Sequence, residues 1–314
     1  MKRLDEKLER VRNGTYKPKD FIIADAKDAD MGFGLTAPGP RRGGKGFKSR
    51  AEYLQNMRDM VASDLVDVML MSVSSAEVLA GDGTLEGTPV TAAVRLNDSS
   101  DIWSQRGGDY KGGPARPFRT ADLDRAGAIA DLGLYAITFC NDVDHDLSTL
   151  ESYALFREEL ADTPMRYFLE VFNPSFDIGM AEEDLPFYLN DCIVRTLAGV
   201  AAADRPMFLK AVYNGPKALE ELASYDPASL IIGILGGGKG TTRDTFELVR
   251  QTERYGGRVA LCGRKINLAD SPTALVSLMR RVVEGNVSSE EAVRAYHAKL
   301  QSKDIEPTLA LEAD

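Results

Sequence analysis

The sequence is short of the residues on which several kinds of chemistry depend. It has 3 cysteines in 314 residues, Cys140, Cys192 and Cys262. They form no CxxC pair, so neither a zinc site nor a disulfide framework is expected, and buried free thiols in a reducing compartment are the default. Its 2 histidines, His145 and His297, are too few for an imidazole-rich zinc site. His145 stands in Asn-Asp-Val-Asp-His-Asp and reads as a solvated or capping residue. No apolar run approaches the ~20 residues of a membrane span, and residues 1–12 form a charged helical pattern without the apolar core of a signal segment. Basic residues are outnumbered, 38 against 48 acidic, for a net charge of −10. A phosphate backbone needs a basic face, so no nucleic-acid partner is expected, and none at a membrane. A small anion reads a local pocket instead. A cytoplasmic location is the expectation.

What the chain does have is 44% hydrophobic residues, enough for a large core. Eight short apolar segments read as strands buried on both faces: 21–26, 65–73, 90–96, 134–141, 166–172, 207–213, 230–235 and 258–262. Helical spacing lies between most of them, over 50–62, 122–132, 149–160, 185–203, 216–223, 242–255 and 271–284. Alternating strands and helices predict a parallel sheet with right-handed crossovers. Eight strands predict its closure into a (β/α)8 TIM barrel. The rival fold, an open doubly wound sheet, lacks the Gly-x-Gly-x-x-Gly expected after the first strand. One domain is expected over 1–314, with the barrel core at about 21–284, a helix at 1–12, and a C-terminal helix and tail at 285–314. Two irregular stretches, 32–46 and 99–119, follow strands and belong at the C-terminal rim, where barrel active sites form. The second holds the single tryptophan, Trp103.

Charged residues inside apolar strands single themselves out. Lys210 lies mid-strand in Met-Phe-Leu-Lys-Ala-Val-Tyr-Asn-Gly-Pro and points the same way as Phe208 and Val212. Directed inward, it ends inside the barrel, where burial and neighbouring cations favour the neutral amine that attacks a carbonyl. Directed outward, it would snorkel between helices. Glu170 holds a similar place in Tyr-Phe-Leu-Glu-Val-Phe-Asn-Pro, as a proton shuttle or as half of a structural ion pair. The first strand ends Ile-Ile-Ala-Asp-Ala-Lys-Asp-Ala-Asp. Asp25, nearest the strand, could orient a substrate hydroxyl or Lys210, and Lys27 beside it is kept as a candidate substrate contact. Asp25, Asp28 and Asp30 together would equally suit Mg²⁺. Leu-Gly-Gly-Gly-Lys-Gly-Thr-Thr after the seventh strand, with Gly236, Gly237, Gly238 and Lys239, lets backbone amides approach an anion near a helix start. Gly263 and Arg264 end the eighth strand, and loops seven and eight are the common phosphate cradle of this barrel. Arg41, Arg95 and Arg106 read as solvated surface charge.

In this order and placement the pieces resemble the class I aldolases of the deoxyribose-phosphate and tagatose-bisphosphate aldolase group (DeoC/LacD type), over about 21–284. The motifs are Ile23-Ala24-Asp25, the stretch 139–146 with its Asp-Val-Asp, Phe168-Leu169-Glu170, Leu209-Lys210, the glycine loop 236–239 and Leu261-Cys262-Gly263-Arg264. Lys210-Ala-Val-Tyr213-Asn-Gly215 also resembles the Lys-x-x-Tyr-x-Gly strand of archaeal-type fructose-bisphosphate aldolases. The resemblance implies a Schiff base on Lys210, Glu170 as acid/base with Asp25 assisting, and phosphate on Gly237, Gly238, Lys239, Gly263 and Arg264. It implies no metal and no organic cofactor, a phosphorylated sugar or keto/aldehyde substrate, and a homo-oligomer. Two departures concern the substrate's far end. Ala26-Lys27 stand where tagatose-type relatives carry Gln-Arg, and Thr138 where they tend to carry Lys, so the tagatose substrate is not carried over. A Schiff-base acyl transferase, a Mg²⁺-dependent barrel enzyme and a non-catalytic sugar-phosphate sensor are the competing expectations.

Overall fold

The computed structural model describes residues 2–314. The apolar runs pair side by side as β1 (Ile22–Lys27), β2 (Val68–Met71), β3 (Thr91–Arg95), β4 (Leu132–Thr138), β5 (Arg166–Phe172), β6 (Leu209–Ala211), β7 (Ile232–Leu235) and β8 (Val259–Cys262). All are parallel, each bonds to its neighbour in sequence, and β8 returns to β1, closing a (β/α)8 barrel in one domain. The expected strand centres hold and the ends move by a few residues. The largest shift is at 65–73, which is a strand only over Val68–Met71. The chain then turns at Ser72 into a helix, Val73–Gly81, that the apolar pattern did not separate from the strand. The helix expected at 122–132 is one turn, Leu123–Gly127, because Leu132 already belongs to β4.

Side-chain alternation sorts the barrel into two cores. Inward residues, among them Ile22, Ala24, Val68, Leu70, Leu134, Phe168, Phe208 and Leu261, fill the interior. Phe168 and Phe208 stack there with ring centroids 4.6 Å apart. Outward residues such as Ile23, Met69, Leu169, Ile232 and Ala260 meet the surrounding helices. The interior is a packed plug, so any cavity must open at an end of the barrel.

The N-terminal helix, Arg3–Arg12, seals the lower end by adding Leu4, Leu8 and Val11 to the interior core. Buried Asp67 fixes it there. Its carboxylate receives Arg3 Nε at 2.7 Å, Lys7 Nζ at 3.0 Å, Arg280 Nη2 at 3.0 Å and the Ile23 amide at 2.9 Å. Burial works against the Asp67 charge, but Arg280, Lys7 and the Ile23 amide outweigh it and hold the carboxyl below the usual range.

At the upper end, the stretch 99–119 carries a two-stranded hairpin, Asp98–Ser99 with Pro117–Phe118. Trp103 packs edge-on against Tyr110 and Phe118, at 5.1 and 5.0 Å. This stretch meets the other irregular loop through the Ser104 amide, which donates to Gly32 O at 2.8 Å. The C-terminal tail folds back, with His297 Nε2 2.9 Å from Asp314 Oδ2. Among the described residues no helix is long and apolar enough to cross a membrane.

Asp67→Asn leaves three cations facing each other at the barrel foot, and is expected to cost about 3–5 kcal/mol in urea unfolding. Because the native carboxyl is depressed, its stabilisation is present above the unfolded-state pKa and lost as pH falls through the folded one. The wild type should therefore lose stability below about pH 4, and the variant should lose less.

Candidate active site

Register places the central pair. Glu170 and Lys210 are direct partners across β5 and β6. Both face inward, one step above the Phe168–Phe208 stack, since alternation repeats every two residues. Lys210 is 5% exposed and Glu170 1%, and Lys210 Nζ lies 2.7 Å from Glu170 Oε1. The charged neighbour of the amine is thus a carboxylate, the acid that the sequence placed beside it. The two are within proton-transfer distance, without the alignment of a hydrogen bond between them.

Arg95, at the end of β3, completes the arrangement and corrects its reading as solvated charge. It is 4% exposed. Its Nη2 donates to Glu170 Oε2 at 2.8 Å and its Nε to Asp28 Oδ2 at 2.6 Å. The result is a buried chain, Asp28–Arg95–Glu170–Lys210, in which each carboxylate is held by a named cation. Burial opposes the Asp28 charge, but Arg95 and Lys210 overcome it and hold that carboxyl low. Asn97 braces the same region, exchanging hydrogen bonds with the Ala136 backbone at 2.6 and 2.8 Å, beside Glu170.

These residues line a cavity of about 300 Å³ at the C-terminal mouth of the barrel. Its wall continues from the Lys210 strand through Leu235, Gly236, Gly237, Gly263 and Arg264. Gly236 touches β8 so closely that an added Cβ would meet Cys262 Cα at 3.0 Å, and one at Gly263 would meet Ala26 O at 2.9 Å. Gly237 has φ +68 with open space beside it, a conformation that suits glycine and bares the backbone. A larger cleft, about 700 Å³, opens at the other end among Arg12, Arg157, Arg166 and Arg205. It lies at strand N-termini, and barrel chemistry belongs at the C-terminal face.

Four expected site residues stand elsewhere. Asp25 and Lys27 face outward with Ile23, because Ala24 and Ala26 are the inward residues of β1. They form a buried pair of their own, Lys27 Nζ 3.1 Å from Asp25 Oδ1 without the alignment of a hydrogen bond. Counting alternation onward from Ala24 and Ala26 leads to Asp28, which does line the cavity. Gly238 and Lys239 lie beyond the cavity wall. Lys239 lines a small cleft with Lys265, Asp270 and Asp314. The helix start expected to receive an anion is occupied from within: Thr241 accepts from the Asp244 amide, and Asp314 Oδ1 accepts from the Thr242 amide. Asp25, Asp28 and Asp30 do not converge, as they pair with Lys27, Arg95 and Ser72 respectively. Asp142 caps the helix Val143–Ala161, accepting from the Asp144 and His145 amides, and His145 Nδ1 lies 2.8 Å from Asp142 Oδ1. Thr138 ends β4, buried, and Arg264, which opens a short helix after β8, lines the cavity and lies over the Phe33 ring at 5.2 Å.

No family model and no curated protein matches the sequence. Solved structures match its fold. An archaeal fructose 1,6-bisphosphate aldolase superposes with a TM-score of 0.64 at 14% identity, over 90% of this chain and 99% of that one. A structure of an archaeal fructose-1,6-bisphosphate aldolase with its catalytic Lys covalently bound to the carbinolamine intermediate gives 0.63 at 16% identity, over 90% and 99%. The fructose-bisphosphate aldolase from Slackia heliotrinireducens DSM 20476 gives 0.65 at 12% identity, over 95% and 90%. At these identities the likeness establishes the fold.

Arg95→Met strips Glu170 Oε2 and Asp28 Oδ2 of their cation and is expected to cost about 3–5 kcal/mol in chemical denaturation. Arg95→Lys should recover only part of that, because one ammonium lacks the planar fork that reaches both carboxylates.

Proposed function

We propose that this protein is a class I aldolase of the DeoC/LacD type, making or breaking a carbon–carbon bond in a phosphorylated sugar-like substrate through a Schiff base on Lys210. One observation carries the reading: a buried amine lies 2.7 Å from a buried carboxylate, in a cavity also lined by a pair of glycine turns. The solved neighbours, among them a Schiff-base-forming fructose-1,6-bisphosphate aldolase and one whose catalytic Lys carries a carbinolamine, support it by fold.

Lys210 passes its proton to Glu170 Oε1 and its nitrogen adds to the ketone carbon, giving a carbinolamine. Loss of water, with Glu170 returning the proton to the departing oxygen, leaves the imine, an electron sink. In cleavage, Glu170 takes the proton of the hydroxyl on the second carbon from the imine carbon. The electrons of the carbon–carbon bond move toward nitrogen, an aldehyde departs and an enamine remains. Protonation of the enamine carbon and hydrolysis free the ketone and restore Lys210. Arg95 fixes the second oxygen of Glu170, so the first stays aimed at the amine. A phosphate on Gly236, Gly237, Gly263 and Arg264 supplies orientation rather than chemistry. Asp28 takes the place at the mouth that the sequence suggested for Asp25.

Borohydride with dihydroxyacetone phosphate should inactivate the protein and add mass at Lys210, and Lys210→Ala should show neither turnover nor trapping. Full activity in Lys210→Ala rejects the reading. Glu170→Gln, which keeps the shape but cannot carry the proton, should lower kcat by about 10²–10⁴.

A further inference from the structure

The aldolase reading uses one side of the cavity, the amine and the glycine turns, and leaves the other unassigned. That other side is built by β3 and the loop after it. Arg95 and Asp101, 4% and 3% exposed, both line the cavity. Arg95 Nη1 and Asp101 Oδ1 have no hydrogen-bond partner in the protein. Behind them the buried hydroxyls of Ser99 and Thr138 neighbour the Asp101 carboxyl and favour its charged form, against the rise that burial causes. Buried polar atoms are ordinarily satisfied, and an unpartnered guanidinium nitrogen and an unpartnered carboxyl oxygen on residues of one cavity wall mark the place where a polar group of a ligand completes the set.

The charge on this side decides the kind of group. Arg95 already serves two carboxylates, so its Nη1 still offers N–H donors but no net positive charge. Asp101 is an acid, and burial pushes its carboxyl up toward the protonated form, able to donate as well as accept. Asp98 and Asp28 stand near, both within reach of Arg95. The other cation lining this side is Lys111, exposed at the outer rim. Such a wall suits hydroxyl groups, each both donor and acceptor, and opposes a dianion. We propose that Arg95 Nη1 and Asp101 form a subsite for the hydroxyls of the acceptor half of the substrate, so that a phosphorylated ketone donor is joined to an uncharged hydroxyaldehyde. The inference rests on the aldolase reading. In that step the enamine carbon bonds the aldehyde carbon and the proton held on Glu170 passes to the new alkoxide. The product carries one phosphate, at the glycine end.

The test uses dihydroxyacetone phosphate as donor with three acceptors, D-glyceraldehyde, D-glyceraldehyde 3-phosphate and propanal, on the wild type, Asp101→Asn and Asp101→Ala. The wild type should show kcat/KM at least about tenfold higher for glyceraldehyde than for its phosphate. Asp101→Ala should raise KM for glyceraldehyde about tenfold, the loss of a buried hydrogen bond, and leave propanal nearly unchanged. Asp101→Asn, which keeps both donor and acceptor atoms, should lie between. A wild-type preference for the phosphorylated aldehyde, or equal losses for glyceraldehyde and propanal, overturns the subsite. The wild-type comparison decides even where a variant does not fold. Borohydride trapping with the donor alone separates the two levels: no trapped Lys210 rejects the aldolase reading and the subsite with it, whereas trapping without acceptor discrimination rejects the subsite only.

Discussion

The ion-pair chain from Asp28 through Arg95 and Glu170 to Lys210 is the constraint on which the mouth of this barrel depends. Below it the interior is hydrocarbon, closed by stacked Phe168 and Phe208. Charges set on top of such a plug are tolerated only in pairs, because desolvation of a lone buried ion exceeds what packing returns. Four elements contribute: the loop after β1, then β3, β5 and β6. Each is rigid where it supplies its group, and the Glu170–Lys210 distance is set by direct strand register rather than by a loop. A site made this way needs little reorganisation when a substrate enters.

The same logic operates at the lower end with a different outcome. Asp67 is as buried as Glu170 and gathers Arg3, Lys7 and Arg280. Every oxygen there is satisfied and no cavity adjoins it, so the cluster locks the N-terminal helix and the helix Pro272–Val283 to the strands. At the upper end, by contrast, Arg95 Nη1 and Asp101 Oδ1 are left unsatisfied beside open space. A barrel can keep such unfilled polar atoms at its mouth because its foot and its apolar interior supply the stability.

How much of this the sequence revealed follows from the range of each signal. Strands buried on both faces announce themselves in any short window, so all eight were found, and Arg166–Phe172 was placed to the residue. The sequence left the direction of Lys210 open between inward and outward, and the structure settles it, because Phe168 and Phe208, two residues before Glu170 and Lys210, belong to the barrel interior. Arg95 was not legible, since its meaning depends on Glu170, 75 residues away, and on barrel closure. Asp101 lies in a glycine-rich stretch whose conformation no local pattern determines. The glycine loop was read too generously because Asp314, far along the chain, fills the helix start that Lys239 and Gly238 seemed to prepare for a phosphate.

Asp25 and Lys27 show why burial and pairing do not by themselves identify chemistry. The molecule has two buried lysine–carboxylate pairs at the upper ends of its strands, Lys210–Glu170 at 2.7 Å and Lys27–Asp25 at 3.1 Å. The outer pair is the more buried, at 1% and 0% exposure, and burial raises the Asp25 carboxyl, the kind of shift often taken to mark an active site. Yet it faces the helices, alternating with Ala24 and Ala26, and lines no part of the mouth cavity. Lys27 Nζ and both Asp25 oxygens also lack a hydrogen bond, so the pair is poorly completed even as a structural contact. What separates the two pairs is the phase of the strand: one residue of alternation decides whether an amine meets a substrate or a helix. Among charged residues on these strands, the inward phase, read from the small and aromatic side chains flanking each one, is therefore the stronger guide to function than burial.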